Sequence, residues 1–369
     1  MAGFLVSSHL SVLLAAPWIV ALYPIVLSKR GALTGVYCGR LSTGLHVGSI
    51  EPRFRGNTHV FWMLRGALVT LTYLTGLIVG ATVALISIYA WGVPPGEAWV
   101  ILVAALSVSA FSLFASMLMS EASAFAAYRR GLDPDLVLYP VMSTVADIVV
   151  TGIFLLVASA ALTPVFLAVL AAVVAVFTAV TLYAVARCRG DRVYRETMGE
   201  SLLSITVASL VTNMTGYFLK GISDVIERRK PLYTAYPAVT DTVGDVASIA
   251  GSTATTRLAL RGAEGLPDVA WSAAPAAVSG WLASAVMFAA YSLVSSWAAG
   301  SLGAAAGLVR LLLAANVVAV PVMVLVSLLI AWGVYRWGWD PDNFVNPLET
   351  TITDAFTTFT LYMLLRAGL

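Results

Sequence analysis

The chain has 369 residues, of which 60% are hydrophobic and 11% charged. Soluble domains carry about 25% charged residues, so an ordinary globular protein is excluded. With 21 Lys and Arg against 19 Asp and Glu, the net charge of +2 is too small for a nucleic-acid binder. Two cysteines, Cys38 and Cys188, exclude a disulfide scaffold, and three histidines argue against a His-rich metal site. What remains is a polytopic protein of the lipid bilayer.

A helix needs about 20 mostly apolar residues to cross the hydrocarbon core. On that measure the sequence predicts an all-α membrane protein of about ten transmembrane helices. In chain order these are 11–47, 60–91, 98–128, 138–161, 164–186, 199–225, 232–259, 272–298, 304–335 and 343–366. Several exceed 20 residues, which implies tilt or extension beyond the membrane. The first apolar run has no small-residue cleavage site behind it, so no removable signal peptide is expected. Arg53 and Arg55, Arg129 and Arg130, and the cluster Arg187, Arg189, Arg192 and Arg195 all follow odd-numbered spans. Basic loops face the cytoplasm, which orients the chain in a cell membrane. The longest polar stretch, Arg187 to Thr197, is too short for a folded domain, so function must be built from the helices.

A motif recurs 207 residues apart. Its first copy reads Arg129-Arg130-Gly131-Leu132-Asp133-Pro134-Asp135, then Pro140, Ser143, Thr144 and Asp147. The second reads Arg336-Trp337-Gly338-Trp339-Asp340-Pro341-Asp342, then Pro347, Thr350, Thr351 and Asp354. A weaker pair lies upstream at an offset of 213, where Tyr23-Pro24 and Gly31 match Tyr236-Pro237 and Gly244. The chain thus divides into a first repeat over 1–161, a connecting helix and loop over 162–198, and a second repeat over 199–369. An even number of intervening spans predicts parallel repeats related by a pseudo-two-fold axis along the membrane normal, with a shared site between them.

Asp147 and Asp354 lie about ten residues into their spans. Placing a charge near the bilayer centre costs at least ~2.5–3.5 kcal/mol, so such residues face a bundle interior or a water-filled path. Thr144 and Thr351 sit one turn earlier and add hydroxyl oxygens to the same face. Asp241 and Asp245, four residues apart, stack on one face of the seventh span. Pro237 and Gly244 beside them predict a broken helix with carbonyls open to a cavity. Carboxylates, hydroxyls and carbonyls form an all-oxygen donor set suited to a hard cation such as Mg²⁺, Ca²⁺ or Mn²⁺. The plainer alternative is that these aspartates pair with Lys29, Arg30 or Arg310 and hold helices together. Glu121 has Leu328 as its repeat counterpart and reads as an interfacial or pairing residue, and Asn213 and Asn316 read as helix-packing donors.

At these residues the sequence resembles the MgtE-type magnesium transporter family, in particular its duplicated branch, solute carrier family 41. Asp133-Pro134-Asp135…Pro140…Asp147 and Asp340-Pro341-Asp342-Asn343…Pro347…Asp354 look like the Asp-Pro…Pro…Asp motif of the family's last helix. Tyr23-Pro24…Arg30-Gly31-Ala32-Leu33…Gly39-Arg40-Leu41-Ser42-Thr43 looks like the other family motif, in which Gly-Asn-Leu precedes Ser-Arg-Leu-Ser-Thr. The motif Asn is Ala32 in the first repeat and Asp245 in the second. The resemblance implies divalent-cation transport with Asp147 and Asp354 as pore carboxylates and Mg²⁺ as the transported ion. It also implies that one chain supplies a pore that other members build as dimers, so that a monomer suffices. No stretch of this sequence corresponds to the family's cytoplasmic magnesium-sensing domains.

The expected metal-binding residues are therefore Asp147, Asp354, Asp245, Asp241, Thr144 and Thr351, with no catalytic residues. Two other classes stay open on sequence grounds. A proton- or Na⁺-coupled carrier of a small solute would also place carboxylates in the membrane. A membrane-embedded prenyl-type transferase would hold Mg²⁺–diphosphate on Asp241-x-x-x-Asp245, but a second acidic cluster is not evident.

Overall fold

A computed structural model of the chain describes residues 9–13, 15–208, 230–262 and 265–368. The described residues form helices and turns without a strand. After a single turn at Leu10–Leu13 come α1 (Pro17–Val47), α2 (His59–Trp91), α3 (Ala98–Arg129), α4 (Pro134–Ala161) and α5 (Pro164–Cys188). Helix α6 is described over 192–208. Then follow α7 (Lys230–Arg261), α8 (Leu266–Ala298), α9 (Ala305–Arg336) and α10 (Val345–Arg366). Most of the sixth predicted span, with Asn213, lies outside the described residues.

Seven of these helices, α1 to α5, α8 and α9, are long and apolar enough to cross a membrane. Helices α7 and α10 were predicted as spans too, yet they fall short of that apolarity. The reason lies in what their inward faces carry. On α10, Asn346, Glu349, Thr351, Thr353, Thr357, Thr358 and Thr360 are all buried. A helix screened by neighbours tolerates such polarity, because its partners are protein rather than lipid. The screen is α8 and α9: α8 is the most exposed of the seven spans, with 17% of its apolar window buried.

The chain forms two compact units. Unit 1 comprises Met1–Leu41 and Gly48–Gly199, and unit 2 comprises Ser42–Val47 and Glu200–Leu369. In unit 1, Trp18, Ile19, Leu22 and Val26 of α1 pack against Ile101, Ala104 and Val108 of α3 and Val150 and Phe154 of α4. In unit 2, Val239, Val243 and Val246 of α7 pack against Leu311, Leu312 and Ala315 of α9 and Leu361 of α10. Residues of α1 and α7 at the repeat offset thus lie at the centre of equivalent cores.

The duplicated motif builds the same joint twice. Gly131 and Gly338 end α3 and α9 in the left-handed conformation, at φ 71° and 77°. The amide of Leu132 then donates back to Ala127 O at 3.0 Å, and that of Trp339 to Val334 O at 3.2 Å, which closes each helix end. Asp133 and Asp340 follow as N-caps, accepting from the amides of Asp135 at 3.0 Å and Asp342 at 3.1 Å. Pro134 and Pro341, which lack the N–H that a first turn leaves unused, begin the next element. The copies then diverge. Helix α4 runs on through Pro140, whereas Pro341–Asn343 is a 3₁₀ turn and α10 starts at Val345. Helix α6 holds that turn: Glu200 accepts from the Asp340 amide at 3.0 Å and from Asn343 Nδ2 at 2.8 Å. Ser204 donates to the Asn343 carbonyl at 2.6 Å.

The crossing of the first and third helices of each unit also recurs. In unit 1 the Cys38 thiol donates to Ser120 Oγ at 3.4 Å. At the corresponding place in unit 2, Gly251 faces Ser327 so closely that a Cβ would overlap Ser327 Oγ and lie 2.5 Å from Val345 Cγ1. Gly251→Ala is therefore expected to cost about 1–3 kcal/mol by overpacking. Thermal melting of the purified protein checks this, with Ser327→Ala expected to recover part of the loss. An unchanged melt for Gly251→Ala would contradict the tight crossing.

Candidate functional site

A hydrogen bond shared by both units frames the predicted carboxylates. Tyr23 OH on α1 bonds Thr151 Oγ1 on α4 at 3.0 Å, and Tyr236 OH on α7 bonds Thr358 Oγ1 on α10 at 2.5 Å. Each tyrosine also interacts electrostatically with the carboxylate one turn before its threonine, Asp147 or Asp354. The repeat thus places a Tyr–Thr clamp beside the motif aspartate in each unit.

In unit 1, Asp147 is half-buried and forms an ion pair with Arg30 Nη2. Arg30 Nη1 donates in addition to the Met142 carbonyl at 3.3 Å, tying α1 to α4. The contact realised at Asp147 is therefore the helix-pairing alternative. Thr144 is exposed on α4. Glu121 is wholly buried and paired: Arg65 Nε and Nη2 donate to its two oxygens at 2.8 and 3.2 Å, and Tyr37 OH donates at 2.5 Å.

Unit 2 is built differently. Asp354 is exposed on α10, Asp241 is exposed and Asp245 half-buried on α7, and Thr351 is buried with its hydroxyl donating to Pro347 O at 2.9 Å. Between α7 and α10 sits a residue absent from the sequence-derived set. Glu349 is fully buried and accepts from Ser248 Oγ at 2.6 Å and Thr353 Oγ1 at 2.5 Å. Asp245 and Asp354 both lie within electrostatic range of it. Three carboxylates and a run of threonines therefore gather along α7 and α10. The repeat comparison hid Glu349, because its counterpart is Met142. The available signal was its position, one residue before the paired threonines Thr350 and Thr351 and five before Asp354.

Glu349→Leu removes the acceptor for two buried hydroxyls and is expected to destabilise the protein by about 1–3 kcal/mol. Glu349→Gln keeps one acceptor and one donor for those hydroxyls and should melt close to wild type. Equal melting of all three proteins would remove Glu349 from the packing of α7 on α10.

The predicted break in the seventh span is not present. Helix α7 is continuous from Lys230 to Arg261 with Pro237 inside it. The Thr240 hydroxyl donates to the carbonyls of Pro237 at 2.9 Å and Tyr236 at 3.3 Å, supplying hydrogen bonds around the proline. Gly244 serves packing instead: a Cβ there would lie 3.8 Å from Thr353 Cγ2 and 3.9 Å from Glu349 Oε1. Of the packing donors expected from the sequence, Asn316 donates through Nδ2 to Ser284 Oγ at 2.6 Å, joining α9 to α8.

No curated protein and no solved structure gives a match to the chain. The MgtE family model, described as a divalent cation transporter, matches residues 23–158 and 236–364. Those two stretches cover well over half of the chain, and they begin at Tyr23 and Tyr236, the residues of the two clamps. The chain belongs to the MgtE family of divalent cation transporters, multi-pass membrane proteins rather than enzymes.

Proposed function

We propose that the transported ion is Mg²⁺ and that the acidic helices α7 and α10 of unit 2 attract and hold it. The observation that carries this is the convergence of Asp245, Glu349 and Asp354 on two helices that also bear Asp241 and Thr351. Neither α7 nor α10 contains a histidine or a cysteine, so every side-chain donor of appreciable strength is oxygen. Such a set favours hard divalent ions over Zn²⁺ or Cu²⁺. Mg²⁺ dehydrates reluctantly, so outlying carboxylates and hydroxyls would hold it through its own water shell. In unit 1, Asp147 and Thr144 occupy the corresponding motif positions and offer oxygens of the same kind, with Asp147 paired to Arg30. The two units are thereby unequal in charge. With both motifs fused in one chain, the working form is a monomer.

The test is Mg²⁺ uptake into proteoliposomes read by an internal indicator, with Ca²⁺ and Mn²⁺ as competitors. Saturable uptake driven by a Mg²⁺ gradient alone is expected. Folded protein that moves no divalent ion, or moves a solute only with a proton or Na⁺ gradient, would overturn the assignment.

A further inference from the structure

Where α7 turns into α8, unit 2 carries an open recess of about 630 Å³, within the roughly 300–1,000 Å³ typical of ligand pockets. Gly262, in the left-handed conformation at φ 67°, ends α7, its amide donating to Leu258 O at 2.8 Å. Helix α8 begins four residues later at Leu266. Buried Leu258 and Val269 form the apolar floor, in one cluster with Leu328 and Ala331 of α9. The polar lining is Arg257 and Arg261 of α7 with Asp268 and Ser272 of α8. Both arginines are exposed, so their guanidiniums are open to a ligand in the recess. One turn apart, they share a face of α7. Among the described residues no carboxylate pairs with either. Asp268 and Ser272 are engaged within α8 and its cap. The carboxylate accepts from the Gly265 amide at 3.2 Å, and the hydroxyl donates to Val269 O at 2.8 Å.

Two arginines against one aspartate leave the recess positive. A guanidinium is permanently charged, and its planar fork of N–H donors matches the oxygens of a phosphate. What adjoins the arginines points to a lipid rather than to a soluble anion. Trp271, also in the lining, is 83% exposed. Val278, Leu282, Val286 and Leu293 continue from it along the same side of α8, and all are exposed. An apolar stripe therefore runs from the recess down the least buried of the spans. The end of α9 lies beside the recess, where a Cβ at Gly262 would be 3.3 Å from Tyr335 OH. There Arg336 lies over the Trp332 ring at 5.1 Å. Tryptophan and arginine gathered at helix ends mark the membrane–water boundary. Basic loops face the cytoplasm, whose leaflet is the one rich in anionic lipids.

We infer that the recess binds the headgroup of an anionic phospholipid, its phosphate held by Arg257 and Arg261 and its acyl chains lying along the α8 stripe below Trp271. The lipid tethers the junction of α7 and α8 to the membrane surface. Its binding does not depend on the transported cation, so the test uses no divalent ion.

Delipidated full-length protein in detergent, with EDTA present, is titrated with phosphatidylglycerol or phosphatidylcholine, and bound lipids are counted by native mass spectrometry. The first phosphatidylglycerol is expected to bind with a midpoint roughly tenfold below that of phosphatidylcholine. Arg257→Gln combined with Arg261→Gln should bring the two midpoints together. Arg130→Gln combined with Arg189→Gln, which removes two exposed arginines of unit 1, should leave them apart. Equal midpoints in the wild type overturn the proposal. So does a preference that survives the α7 double variant, or one lost equally in the unit 1 control, which would mean diffuse charge rather than a site. Displacement of the lipid by excess inorganic phosphate also overturns it, by making the recess a site for the free anion. Should the α7 double variant fail to fold, Arg261→Gln alone decides. A phosphatidylglycerol midpoint raised several-fold supports the site, and an unmoved midpoint rejects it.

Discussion

Asp354→Asn is expected to remove at least nine-tenths of Mg²⁺ uptake while leaving the thermal melt within about 0.5 kcal/mol of wild type. The stability half follows from its setting. Asp354 is exposed on α10, and among the described residues no ion pair contains it. Substitutions at such positions move stability little. The flux half follows from charge. A tenfold loss corresponds to about 1.4 kcal/mol, which is modest for removing one full carboxylate charge from beside a divalent ion in a partly screened site. Asp354→Glu, which keeps the charge on a longer arm, should retain part of the uptake. Near-normal uptake by Asp354→Asn would remove this carboxylate from the pathway and shift the weight to Asp245 and Glu349. The proteoliposome assay and a melting curve on the same preparation supply both readings.

Much of the fold was legible because apolar length is a one-dimensional property. The spans expected at 60–91, 98–128 and 164–186 are His59–Trp91, Ala98–Arg129 and Pro164–Cys188. The repeat was legible for a related reason, since Gly131 and Gly338, and the caps Asp133 and Asp340, do local work that any copy must preserve. What escaped were contacts made in only one copy. Glu349 is opposite Met142 in the repeat, and its partner Ser248 lies 101 residues away on another helix. The Arg30–Asp147 pair joins residues 117 apart. Nothing in spacing alone chooses Arg30 over Lys29 or Arg310 for that carboxylate. The choice is made by how α1 lies on its neighbours, which turns one basic residue to Asp147 on α4 and the other to Ser109 on α3. Pro237 misled for the opposite reason, because a residue that breaks helices in water is absorbed within a packed bundle.

The Arg30–Asp147 pair yields the second large effect, and it separates stability from transport. Arg30→Met leaves the Asp147 carboxylate, which is 26% exposed, without its cation. Breaking a buried pair from one side costs about 3–5 kcal/mol, and the partial exposure of Asp147 places this case near the lower figure. Asp147→Asn is expected to cost less, because Arg30 keeps the Met142 carbonyl as an acceptor. The double variant Arg30→Met with Asp147→Leu leaves neither charge behind, and replacement of both ends of such a pair by apolar groups is commonly near neutral. Its melt should therefore lie above that of Arg30→Met, with a coupling energy of about 1–3 kcal/mol across the cycle. A coupling near zero would mean that the pair contributes nothing to holding α1 on α4. Uptake by the double variant then answers a separate question. If Asp147 also holds the travelling ion, a protein restored in stability still fails to transport. If uptake returns with stability, Asp147 serves unit 1 as a strut, and the burden of holding the ion falls on α7 and α10.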